Sequence, residues 1–235
     1  MPYIFPPTAG IVGIPVLGQS GHFPVRRVFC AGRNYAAHAK EMGWKGDSKE
    51  EPFFFTKPND TLLVAASFDQ EVAVPYPLMT KNLHHEIELV VALGSGGSNL
   101  SAPAAGKSVF GYALGLDLTR RDLQNLAKEK GQPWDMAKGF DYGAPISPII
   151  PAKEISTIEH CSMELQVNGI VRQHGKISDM IWNIPEIIAH LSQYIELKAG
   201  DLIFTGTPEG VNAVQKGDIL AAKLDSFLQL KAKIV

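Results

Sequence analysis

The sequence predicts a mixed, β-rich α+β fold, and three observations carry that expectation. Stretches of strand character outnumber those with helical periodicity. The helical stretches fall at irregular intervals, which excludes a doubly wound sheet or a barrel of repeated strand-helix units. The chain beyond Leu197 breaks into short strands at the Gly200-Asp201 and Gly217-Asp218 turns.

A length of 235 residues suits one main domain, read as 25–235, preceded by an arm over 1–24. The net charge of −2, with no basic run, provides no electrostatic footprint for nucleic acid or an anionic membrane surface. A small-molecule partner is expected. Two cysteines, Cys30 and Cys161, are too few for a disulfide framework or a cysteine zinc site. Neither a signal peptide nor a membrane span is apparent, so the expected location is cytoplasmic.

The arm is rich in Pro and Gly and reads as extended chain or short edge strands. Val25 to Ala31 reads as a strand, and Gly32 to Gly43 as a short helix with Asn34 as N-cap and Gly43 as its stop. His38 and Glu41, three apart, share a face of that helix. Trp44 to Glu51 is a polar, mobile loop. Pro52 to Val64 places Lys57 in an aromatic stretch, at a strand end where it reaches solvent. In His84 to Leu93, alternation puts Ile87, Leu89, Val91 and Leu93 on one face and His84, Glu86 and Glu88 on the other. The two acids mark either a solvated edge strand or a site for a hard divalent cation that takes oxygen ligands.

The Gly/Ser loop that follows lacks a phosphate-binding order. Val109 to Leu118 is a second apolar strand whose only acid is Asp117. Thr119 to Gly131 reads as a helix with a Thr119–Asp122 capping box, Leu123, Leu126 and Ala127 toward the core, and Arg121 and Gln124 at i, i+3. Lys138 and Asp141 fall in a turn-rich loop. Met163 to Val171 is a hairpin arm turning at Asn168-Gly169, and Asn183 opens a helix whose Ile187, Ile188, Leu191, Tyr194 and Ile195 form one face. Thr205-Gly-Thr-Pro208 is either a plain turn or a place where hydroxyls and backbone N–H groups meet an anion.

Six motifs then occur in order: N-Y-x-x-H-x-x-E-M from Asn34, F-x-K-P from Phe55, H-x-E-x-E from His84, D-x-T-x-R-D-x-Q from Asp117, P-W-x-x-A-K-x-F-D from Pro133 and T-G-T-P-x-G-V from Thr205. In this order they resemble the fumarylacetoacetate hydrolase family, and the runs FPVRRVFCAGRNYAAHAKEMG and FFFTKP look most like its fumarylpyruvate hydrolase branch. The resemblance implies a β-sandwich or β-roll with a few peripheral helices, and a homodimer. It implies metal ligation by Glu86, Glu88 and Asp117, with Mg²⁺, Mn²⁺ or Ca²⁺ as the ion. It also implies hydrolytic C–C cleavage of a 2,4-dioxo acid, best matched by fumarylpyruvate in gentisate-type aromatic catabolism.

By the same resemblance His38, Glu41 and Lys138 are catalytic, and Arg121, Gln124, Thr207 and Lys57 bind substrate. The helix bearing His38 resembles a lid. Relatives with the same acids decarboxylate oxaloacetate or act as isomerases or dehydratases of 2-oxo acids, and the His38–Glu41 pair argues for hydrolysis among these. Tyr142-Gly143 departs from the family pattern, which leaves Tyr142 either narrowing the acyl side of the pocket or pointing away.

Overall fold

The strand Ile87–Leu93 is buried along its whole length, and each of its faces enters a different core. Leu89, Val91 and Leu93 pack with Leu165, Leu220 and Leu230, whereas Val90 and Ala92 pack with Cys30, Leu202 and Phe204. It pairs antiparallel with Asp201–Phe204 on one side and Val109–Leu116 on the other. The solvated-edge alternative is thereby overturned: this is a central strand, covered on both faces.

The computed structural model describes residues 4, 10–46 and 49–235. Among them an eight-stranded mixed sheet runs in the order Phe53–Lys57, Arg27–Gly32, Asp201–Phe204, Ile87–Leu93, Val109–Leu116, Ala144–Ile146 and Leu62–Val64, with Ile150–Pro151 beside Val109–Leu116. A five-stranded sheet packs on one face, in the order Ile170–Lys176, Ser162–Val167, Ile219–Leu224, Leu228–Ile234 and Glu71–Val74. A small ribbon joins Thr119–Arg120, Leu83–His84 and Ala213–Val214 near the start of the central strand. This β-rich α+β architecture, two layered sheets with few and short helices, is the class the sequence predicts.

The second core is closed by a hairpin of Gly13–Pro15 and His22–Pro24, whose Ile14 and Phe23 are buried in it. Residues 1–3 and 5–9 of the expected arm, and 47–48 of the expected loop, lie outside the described residues. No helix among those described is long and apolar enough to cross a membrane.

Five α-helices are described: α1 (Ala36–Glu41), α2 (Ala102–Gly106), α3 (Arg121–Lys130), α4 (Asp135–Lys138) and α5 (Ile184–Tyr194). Several local expectations are corrected by tertiary partners. Asn34 does not cap α1; its amide donates to Trp182 O and Thr205 O and accepts from Trp182 N, tying the helix entry to two distant loops. Asp122 does not pair with Thr119. It accepts from Thr80 Oγ1 and Lys81 N instead, while Thr119 donates to Asp117 O. Leu126 is exposed, as is Tyr194 on α5, and Lys138 closes the short α4 rather than lying in a loop. The Asn183–Glu186 capping box of α5 and the left-handed Asn168-Gly169 turn are as expected.

Candidate active site

Register builds the site. Glu86 and Glu88 straddle the start of the central strand, and the pairing of Ile87 with Leu116 brings Asp117 alongside, its N–H donating to Glu86 O at 2.8 Å. One carboxylate oxygen from each of Glu86, Glu88 and Asp117 then lies within 4.8 Å of the others, and all three side chains are buried.

Three cations surround these acids but share them unevenly. Lys138 Nζ donates to Glu86 Oε2 at 2.7 Å and Asp117 Oδ2 at 2.5 Å, and Arg121 forms a close ion pair with Glu86 Oε1. Burial alone would raise the Glu86 carboxyl; Lys138, Arg121 and His38 outweigh it and hold Glu86 far below the usual carboxylate range. The same acids, against burial, push the Lys138 ammonium up. Lys57 Nζ lies 2.9 Å from Asp117 Oδ1.

Glu88 has no cation partner among the described residues. It accepts only the Gly206 N–H, at 2.8 Å, and burial together with Asp117 and Glu86 drives its carboxyl well upward. A buried carboxylate in that position is held ionised only by an added positive charge. Three buried oxygen donors around one point, one of them lacking a counter-charge, fit a hard divalent cation. Gly206 is required for this arrangement: it sits at φ 101°, and a Cβ there would come within 2.8 Å of the Asn34 side chain.

On the facing wall, α1 carries His38 into the cleft, with Nδ1 3.3 Å from Glu41 Oε2. A carboxylate only accepts, so Nδ1 carries the proton and Nε2 is the basic nitrogen. Burial lowers the His38 pKa, against the pull of Glu86 and Glu41, and the imidazole is neutral near pH 7. Glu41 is itself held by the Gly210 N–H at 3.1 Å, which links the helix to the turn after Thr207.

A second chain of bonds fixes Thr207. Gln173 Oε1 accepts from Ile87 N and Nε2 donates to Pro208 O, so the orientation of the amide is set by backbone groups. Gln173 Nε2 also donates to Thr207 Oγ1 at 2.8 Å, which directs the hydroxyl proton elsewhere, and Thr207 lines the cleft. His85 Nδ1 must carry a proton to meet Gln173 Oε1 at 2.8 Å.

The cleft has a volume of about 270 Å³ and brings together His38, Glu86, Glu88, Asp117, Arg121, Gln124, Lys138 and Thr207. Arg121 donates to Gln124 Oε1 at 2.5 Å and, through Nε, to His84 Nδ1 at 3.4 Å. His84 accepts there because burial and Arg121 lower its pKa to about 4.

Lys57 differs from the expectation that it reaches solvent. It is buried, and its ammonium donates to the carbonyls of Leu118, Lys138 and Gly143, at 3.3, 2.5 and 3.1 Å. Tyr142 is exposed at φ 60° and does not line the cleft, which decides for the outward alternative. Sequence reasoning missed Arg33, Phe53, Trp134 and Lys128, which complete the cleft wall. Only Lys128 carried a signal, standing four residues after Gln124 on α3.

Known proteins resemble this chain in both sequence and fold. The family described as fumarylacetoacetate (FAA) hydrolase C-terminal matches residues 27–235. The chain is 42% identical over 209 residues to the mitochondrial oxaloacetate tautomerase of Rattus norvegicus, covering 89% of this chain and 91% of that protein. It is also 42% identical over 187 residues to a fumarylpyruvate hydrolase of a Ralstonia species, covering 80% and 94%. The solved fumarylpyruvate hydrolase of Pseudomonas aeruginosa, in complex with Mn²⁺ and pyruvate, superposes with a TM-score of 0.95 at 44% identity, covering 100% of this chain and 99% of that one.

Proposed function

The chain belongs to the fumarylacetoacetate hydrolase family, and from that premise we propose that it hydrolyses the C–C bond of a 2,4-dioxo acid, fumarylpyruvate first. The observation that carries this reading is the neutral, carboxylate-backed His38 in the cleft that also holds the acid triad. A base of this kind serves a reaction that must deprotonate water.

Mg²⁺ or Mn²⁺, held by Glu86, Glu88 and Asp117, would supply Lewis-acid polarisation of the 2-oxo acid head and a template for it. His38 Nε2 takes a proton from water as the water oxygen bonds to the C4 carbonyl carbon. Glu41, accepting from Nδ1, orients the ring and stabilises the imidazolium that forms. The C3–C4 bond then breaks, its electron pair passing to C3 as the enolate of pyruvate. The imidazolium of His38 returns its proton, the enolate gaining one at C3, which gives pyruvate beside fumarate and restores the neutral base. Lys138 uses two of its three N–H bonds on Glu86 and Asp117, and the third is available to the charge that develops on the enolate oxygen. Arg121, Gln124 and the Thr207 hydroxyl hold the substrate's oxygens, and α1 acts as a lid that excludes bulk water. Lys57 supports Asp117 from behind.

A second reading is supported by the 42% identity to an oxaloacetate tautomerase. Enol–keto exchange of oxaloacetate, or its decarboxylation, uses the same acids and Lys138 but no attacking water. The hydrolase reading carries with it a cytoplasmic homodimer acting in aromatic-ring breakdown. The test is an ultraviolet assay with metal-stripped protein and added Mg²⁺ or Mn²⁺, following fumarylpyruvate, acetylpyruvate and oxaloacetate side by side. Fast, metal-dependent loss of fumarylpyruvate supports hydrolysis; turnover of oxaloacetate alone moves the protein to the second reading.

A further inference from the structure

The solvent side of the cleft is built unlike its acid-lined floor. Arg33 Cζ lies 3.9 Å from the ring centroid of Trp44 and 4.7 Å from that of Phe53; Lys128 Nζ lies 5.2 Å from that of Trp134. Phe53 and Trp134 meet edge to face at 5.3 Å, so both cations stand on one aromatic wall. The cations of the floor, Arg121 and Lys138, are bound to Glu86. By contrast, neither Arg33 nor Lys128 has a carboxylate partner among the described residues.

Backbone conformation sets this up. Arg33 is a non-glycine residue at φ 55°, a region such residues occupy only where the surroundings hold them there. The preceding Gly32 lets the Phe53 ring lie on the chain, because a Cβ at that position would collide with the ring. Lys128 follows Arg121 and Gln124 along one face of α3, and all three line the cleft. Burial and Arg121 lower its pKa, as expected for a cation without an acid beside it.

Two cations on a preformed apolar wall form a receptor for an anion that lies beyond the reacting carbons. We propose that Arg33 and Lys128 bind a distal carboxylate, so that the cleft selects 2-oxo acids carrying a second carboxylate several carbons past the metal-binding head. The choice of substrate class rests on the hydrolase reading above. Acetylpyruvate lacks that group, and in oxaloacetate the second carboxyl is C4 itself, next to C3.

The test is calorimetry on the Mn²⁺-loaded protein with two ligands of equal length that lack a cleavable C4 carbonyl, 2-oxopimelate and 2-oxoheptanoate. The wild type should bind 2-oxopimelate at least about tenfold tighter, the scale of one charge-assisted hydrogen bond. In Arg33→Met/Lys128→Met, which keeps the apolar stems on the rings, the ratio should fall to within about twofold. A ratio near one in the wild type, or a ratio retained in the double variant, overturns the proposal. Because binding is read without turnover, failure to hydrolyse fumarylpyruvate would remove the hydrolase reading and leave the carboxylate site standing.

Discussion

The Gly206 amide donates to Glu88 Oε2 at 2.8 Å, and among the described residues it is the sole hydrogen bond this buried carboxylate receives. Glu88→Gln keeps an acceptor for Gly206 and removes the charge. Mn²⁺ affinity measured by calorimetry on stripped protein should drop by more than the ~10–100-fold that loss of an outer partner costs. The metal-free variant should melt at or above the wild-type temperature, because wild-type Glu88 must take up a proton to be buried without the ion, whereas the neutral amide needs none. Unchanged Mn²⁺ affinity would take Glu88 out of the metal site.

Hydrolysis needs neutral His38, and burial lowers its pKa. A base is lost as pH falls through its pKa, so the acid limb of kcat/KM for fumarylpyruvate should lie below the ordinary histidine value of about 6.5. In Glu41→Gln, the loss of a nearby negative charge should move that limb lower still while kcat falls. His38→Ala should lose ~10²–10⁴-fold in hydrolysis and keep turnover of oxaloacetate. Equal loss of both activities would show that water activation is not the task of His38.

What could be read from the sequence, and what could not, follows physical lines. Alternation placed Glu86 and Glu88 on one face because a strand's side-chain period is fixed at two. That their face was covered could not be read, since Val90 and Ala92 are buried by strands and a hairpin distant in sequence. The capping assignment of Asn34 failed because tertiary partners at Thr205 and Trp182 took up its side-chain bonds; that of Thr119 with Asp122 failed because Thr119 bonds the neighbouring Asp117 carbonyl while Thr80 and Lys81, distant in sequence, bond Asp122. Gln173 left no trace: it lies on an alternating strand whose inward positions look alike until the fold brings Thr207 to it.

Lys57 is the case where burial reverses a sequence expectation, and its replacement separates support from substrate binding. Lys57→Met removes the ammonium paired with Asp117 and leaves the carbonyls of Leu118, Lys138 and Gly143 without their donor. Removing one partner of a buried ion pair costs about 3–5 kcal/mol. Urea unfolding of the metal-free variant should show a loss of that order. If stability is retained while KM for fumarylpyruvate rises, Lys57 binds substrate after all.

Gln173 makes a prediction about direction of donation. Because its Nε2 donates to Thr207 Oγ1, the threonine hydroxyl offers the cleft a proton and not a lone pair. Thr207→Val, equal in shape, should raise KM for an anionic 2-oxo acid by about tenfold through one lost hydrogen bond to a charged group, with little effect on folding. Gln173→Glu places an acceptor where a donor stood, so the Thr207 hydroxyl should turn back to bond it. The same rise in KM should then appear although the hydroxyl is still present. Normal KM in Gln173→Glu, beside a raised KM in Thr207→Val, would mean that Thr207 acts on substrate without being oriented by Gln173.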